Sequence, residues 1–110
     1  MATQLTAATI DLVAERFRTL GEPTRLILLD QLRRGQERSV NELVDATGAG
    51  QANVSKHLQI LLAAGFVSRR KDGTTVYYQL ADPTVFQLCD LVCGRAEVVI
   101  EQKRRALRRR

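Results

Sequence analysis

Three groups of side chains in this chain carry chemistry beyond packing. Gln51, Asn53, Ser55, Lys56 and His57 fall within seven consecutive positions. The amides of Gln and Asn present a paired donor and acceptor that match adenine, a lysine reaches guanine or phosphate, and a short hydroxyl meets phosphate. Arg69, Arg70 and Lys71 follow, with Thr74 and Thr75 just beyond Asp72-Gly73. Cys89 and Cys93 form the third group, four residues apart. On a helix that spacing puts both thiols on one face, where they suit a soft metal or metalloid ion or a redox pair. As small apolar side chains they also suit a buried seam. His57 is the only histidine, and no nucleophile or orienting acid can be assigned beside it, so no enzyme is expected.

The elements that must hold these groups can be read in order. Apolar Ile10, Val13, Ala14 and Phe17 alternate with Asp11, Glu15, Arg16 and Arg18 at helical spacing, and Gly21 stops that helix. Pro23 suits the first turn of a second helix, running to about Arg34 and burying Leu26, Leu29 and Leu32. Thr24 and Arg25 at its start are placed to touch a phosphate. Ser39 and Glu42 have capping-box spacing for a third helix, with Leu43 and Val44 inward, and Thr47-Gly48-Ala49-Gly50 is a turn. The fourth helix spans roughly Gln51 to Ala64, with Val54, Leu58, Leu61 and Leu62 as its buried stripe. Asp72-Gly73 is a hairpin turn, and Thr75 to Leu80 a return strand rich in β-branched and aromatic residues. Asp82-Pro83 opens a last helix to about Lys103, with apolar Val85, Phe86, Leu88, Val92, Ala96, Val99 and Ile100. A face that wide exceeds the needs of one small core. With the first helix, it predicts a dimer built from both ends of the chain.

Charge sharpens the picture. The net +5 over 110 residues is uneven: Lys103, Arg104, Arg105, Arg108, Arg109 and Arg110 crowd the last eight positions. Removing those six from 17 basic residues leaves 11 against 12 acids. Between Gly50 and Leu80, however, Lys56, Arg69, Arg70 and Lys71 face only Asp72. A basic strip on a neutral body points to a directed anionic partner. Hydrophobic content of 45% is ordinary for one globular domain. No apolar run approaches the roughly 18 residues of a membrane span, and the N-terminal stretch lacks a signal-peptide pattern. A cytoplasmic protein with reduced thiols and no membrane partner is expected.

The segments LGEPTRLILLDQL and NVSKHLQILLAAGFVSRRKDGTTVYYQL, followed by the DP-initiated helix, resemble the ArsR/SmtB family of winged-helix repressors over nearly all of residues 17–100. The resemblance implies a homodimer, a recognition helix over Gln51–Ala64, a wing that meets the DNA backbone or minor groove, and repression relieved by an inducer, often a metal ion. The family's cysteine motif would fall at Ser39–Leu43, where there is no cysteine. Its other common site uses Asp and His on the last helix, which here has Asp90 and Glu97 but no histidine.

The expectation is therefore an α+β fold, mainly helical, in winged helix-turn-helix order: four helices, a two-stranded hairpin and a fifth helix. Residues 1–104 form one domain and 105–110 a disordered basic tail. Double-stranded DNA with two half-sites is the expected partner, read by Thr24, Arg25, Gln51, Asn53, Ser55, Lys56, His57, Arg69, Arg70, Lys71, Thr74 and Thr75. Any sensed ion or oxidant would act at Cys89 and Cys93, or a co-regulator protein would supply sensing. A protein-binding winged helix and an architectural DNA binder without effector are the rival readings.

Overall fold

The computed structural model describes residues 5–33 and 35–108. The elements run α1 (Ala7–Leu20), α2 (Pro23–Leu32), β1 (Arg38–Ser39), α3 (Val40–Thr47), α4 (Gln51–Ala63), β2 (Val67–Asp72), β3 (Thr75–Leu80) and α5 (Thr84–Arg108). Local chemistry sets most boundaries. The Thr6 hydroxyl accepts from the Thr9 amide at 3.2 Å, and a Glu22 carboxylate oxygen accepts from the Arg25 amide at 3.0 Å with Pro23 in the first turn. Ser39 and Glu42 form the full capping box, both bonds at 3.1 Å. Gly48 closes α3 in the left-handed region at φ 70°, which a side chain would resist.

The hairpin turns tightly. Asp72 pairs with Thr75, so Gly73 and Thr74 are the only loop residues, and Gly73 alone takes a positive φ, 62°, as a type II′ turn requires. The sheet has an additional strand: β1 pairs antiparallel with β3, Arg38 opposite Tyr78 and Ser39 opposite Tyr77, giving the order β1-β3-β2. The expected two-stranded wing is thus three-stranded at its base.

The core gathers Leu20, Leu28, Leu29, Leu32, Leu43, Val54, Leu58, Leu61, Phe66, Val67, Tyr78 and Val85. Two sequence expectations change here. Leu26 is 42% exposed rather than buried, because Leu28, Leu29 and Leu32 define the inward stripe of α2. The helix α5 continues to Arg108, past the boundary set at 104. Glu101 pairs with Arg104 and Arg105 one turn on, and basic residues complement a helix C-terminus. The expected end of α2 at Arg34, and Arg109 and Arg110 of the expected tail, lie outside the described residues.

α5 is tied to the body at its start. Asp82 caps it through the Thr84 amide at 3.1 Å, and Arg33 holds Asp90 through two bonds of 2.5 and 2.6 Å. Beyond Asp90 the helix contributes no buried side chain. The Cα radius of gyration is 16.8 Å, against about 13 Å for a compact chain of this length. Among the described residues no helix is long and apolar enough to cross a membrane.

Candidate nucleic-acid interface

α4 presents two opposed faces. Val54, His57, Leu58 and Leu61 point into the body, while Gln51, Asn53, Lys56 and Gln59 are exposed and Ser55 is half-buried. Gln59 was not among the sequence candidates. Its position three residues after Lys56 and four after Ser55 puts it on their side of the helix, and that spacing was there to be read. Gln51 and Ser55 line a polar cleft of about 290 Å³ together with Ser39, Asn41, Thr74 and Thr75. Four expected contact residues, two from α4 and two from the wing tip, therefore share one cleft.

The three consecutive cations of β2 differ in their surroundings. Arg69 and Lys71 are exposed and have no ion-pair partner among the described residues. Arg70 is held by both oxygens of Glu37 at 3.0 Å each, with its guanidinium 4.8 Å from the centre of the Tyr77 ring and 3.8 Å from Asp72. That guanidinium keeps the Glu37 carboxyl below its ordinary range. The two neighbouring tyrosines separate: Tyr78 is buried at 2% exposure, and Tyr77 forms the platform under Arg70.

Two of the expected contact residues are engaged within the protomer. His57 does not face outward; it is 6% exposed, and its Nδ1 accepts a hydrogen bond from Arg25 Nε at 3.2 Å. Lying three after Val54 and four before Leu61, it completes the inward stripe. Arg25 is half-buried, and its Nη1 donates to the Thr19 carbonyl at 3.0 Å. Thr24 beside it is half-buried. Glu22, Glu37 and Thr19, which hold these arginines, carry no signal in the sequence because their partners are distant or only caps there.

The cysteines stand apart from this surface. Cys89 is half-buried and Cys93 exposed, and both line an apolar groove of about 240 Å³ with Phe17, Leu20, Leu26, Leu88 and Val92. Burial, reinforced by Cys93, pushes the Cys89 thiol above its ordinary value, which lowers its reactivity as a nucleophile. Among the described residues no group of three or more His, Cys, Asp or Glu side chains is gathered to hold a metal.

A family model described as bacterial regulatory protein, arsR family, matches residues 22–69. A probable mercury resistance operon repressor of Streptomyces lividans is 45% identical over 78 residues, covering 71% of this chain and 62% of that protein. The chain spans only 53–62% of the length of the first relatives it matches. Among solved structures, the homodimeric winged helix-turn-helix DNA-binding domain of a possible ArsR-family regulator from Mycobacterium bovis is 37% identical. Its TM-score is 0.72, over 88% of this chain and 91% of that one. An antimony-specific transcriptional repressor, AntR, superposes with a TM-score of 0.79 at 28% identity, over 91% of this chain and 90% of that one.

Proposed function

Since this chain belongs to the arsR family of bacterial regulatory proteins, we propose that it is a homodimeric, sequence-specific DNA-binding repressor. The observation that carries the reading is the single surface shared by the exposed face of α4 and the wing, where Gln51, Ser55, Thr74 and Thr75 line one cleft. α4 enters the major groove, with Gln51, Asn53, Lys56 and Gln59 toward base edges and Ser55 toward the backbone. Arg69 and Lys71 meet phosphates beside it. Two protomers would engage half-sites about 34–36 Å apart, one turn of the duplex.

The dimer forms through α1 and α5. Ile10, Val13 and Phe17 on α1 and Leu91, Val92 and Ile100 on α5 are all exposed in one protomer. An apolar patch of this extent signals an interface rather than a wetted face. Cys89 and Cys93 share a groove with Phe17 and Val92 of that patch, and a two-fold axis beside them would bring up to four thiols together for a soft metal or metalloid. The relatives named for mercury and antimony belong to the same chemical class of effector.

Two experiments test this. The Ser55→Ala/Lys56→Ala double variant should lose binding to the chain's own upstream DNA while remaining dimeric by light scattering; unchanged affinity refutes the α4 assignment. In a titration against thiophilic metals, metalloids and oxidants, release from DNA should vanish in Cys89→Ser/Cys93→Ser. Identical responses of wild type and variant would remove the cysteines from any sensing role.

A further inference from the structure

We propose that α1 sets the position and tilt of α4 through two arginine struts, with Arg25 and His57 as positioning residues rather than DNA contacts. This rests on the DNA-reading role of α4 and goes beyond it, because it names what fixes that helix.

The first strut begins at the C-terminal turn of α1. The Thr19 carbonyl accepts from Arg25 Nη1 at 3.0 Å, and the same guanidinium donates through Nε to His57 Nδ1 at 3.2 Å in the middle of α4. Arg25 is itself held, since its backbone amide donates to Glu22 at 3.0 Å. With Nδ1 accepting, the imidazole proton sits on Nε2. The Glu22 carboxylate lies 3.7 Å from the same nitrogen. The second strut is Arg16 of α1. Its Nη1 donates to the Ala64 carbonyl at the end of α4 at 3.3 Å, and its Nη2 to Asp82 at the start of α5 at 2.9 Å. Its guanidinium also lies 4.3 Å from the Phe66 ring centre.

The spacing of the two attachments matters. His57 and Ala64 are seven residues apart, about 10 Å along a helix axis. Val54, Leu58 and Leu61 seat α4 in the core, and two polar attachments separated by that distance add a directional constraint that non-directional apolar packing does not supply. A planar guanidinium fork makes such a joint stiff, because its donors are fixed relative to one another. α1 carries the exposed apolar Ile10, Val13 and Phe17. Whatever packs there reaches the reading helix through rigid polar joints, and reading a base sequence requires that rigidity more than attraction to phosphate does.

The experiment selects duplexes from a random pool with the wild-type protein, then compares affinity for the best duplex and for an unrelated one. His57→Leu and Arg25→Met should each weaken binding to the selected duplex about tenfold, as expected for losing a partly buried bond to a charged group. Affinity for the unrelated duplex should stay within about twofold. His57→Asn, whose side-chain oxygen can take the place of Nδ1, should restore most of the loss. The double variant should be little worse than either single one. A purely structural role would lower both affinities by the same factor, since both would track the folded fraction. That result overturns the proposal, as does an Asn variant as weak as Leu. Should His57→Leu fail to fold by circular dichroism, Arg25→Met carries the same comparison from a half-exposed site. A wild type that enriches no duplex overturns the DNA-reading assignment and the struts together. Enrichment by the wild type beside variants that bind as tightly overturns the struts alone.

Discussion

Arg69, Arg70 and Lys71 are adjacent in sequence, and periodicity alone does not say which of them is free. The partner that decides it, Glu37, lies 33 positions from Arg70, so the distinction was not legible from the hairpin. It has measurable consequences. Lys71→Ala should make the log–log salt dependence of DNA binding shallower by about 0.9, one phosphate contact. Glu37→Gln should tighten binding at low salt and steepen that slope, because Arg70 is released; fluorescence anisotropy across a salt series reads both. Carboxylates held this way also set the response to acid. Glu37 is held down by Arg70, Glu42 by Ser39 and Asp82 by Thr84, each below its ordinary value. Their support is therefore fully present above the ordinary carboxylate range and is lost as pH falls from that range through the lowered values of the folded protein. Thermal stability should drop on acidification, and Glu42→Gln should flatten that dependence. His57 shows a different kind of miss. Its inward position was available from the Val54, Leu58, Leu61 spacing, but a polar side chain next to Lys56 drew the reading outward.

At the scale of elements, signals that act within a few residues were the legible ones. Ser39 and Glu42 predicted the start of α3, and Asp72-Gly73 the hairpin, because caps and tight turns are closed by neighbours. Ser39→Ala should accordingly destabilise the protein by about 1 kcal/mol, read from the urea midpoint. The strand β1 was not legible, since its two residues acquire their pairing from Tyr77 and Tyr78 far along the chain. The end of α5 was misjudged for a compositional reason. Arginine-rich sequence resembles a solvated tail, yet arginine is a good helix former and Glu101 pairs with the turn that follows. Gly94 sits inside this helix with open space where a Cβ would be. Gly94→Ala should raise helix content and stabilise the protein by up to about 1 kcal/mol. A loss of stability instead would show that another chain approaches Gly94 closely.

For the whole molecule, the governing fact is that one protomer does not finish its own packing. It extends 58 × 40 × 22 Å, and Phe17, Val92 and Leu107 are more than half exposed, at 54%, 58% and 70%. Phe17→Glu or Ile100→Glu should convert the dimer to monomer by sedimentation and weaken operator binding more than any single contact residue would, since two half-sites could no longer be engaged together. The end of α5 has a further consequence, for the lifetime of the protein. A helix supported on no side is open to local unfolding, and local unfolding admits proteases. Arg95, Lys103, Arg104, Arg105 and Arg108 all lie on that stretch and are exposed, so trypsin-like cleavage should begin there in subunits lacking a partner. Assembly would then govern turnover: a subunit synthesised in excess is degraded while the assembled pool persists, and limited trypsinolysis across a dilution series would record the difference.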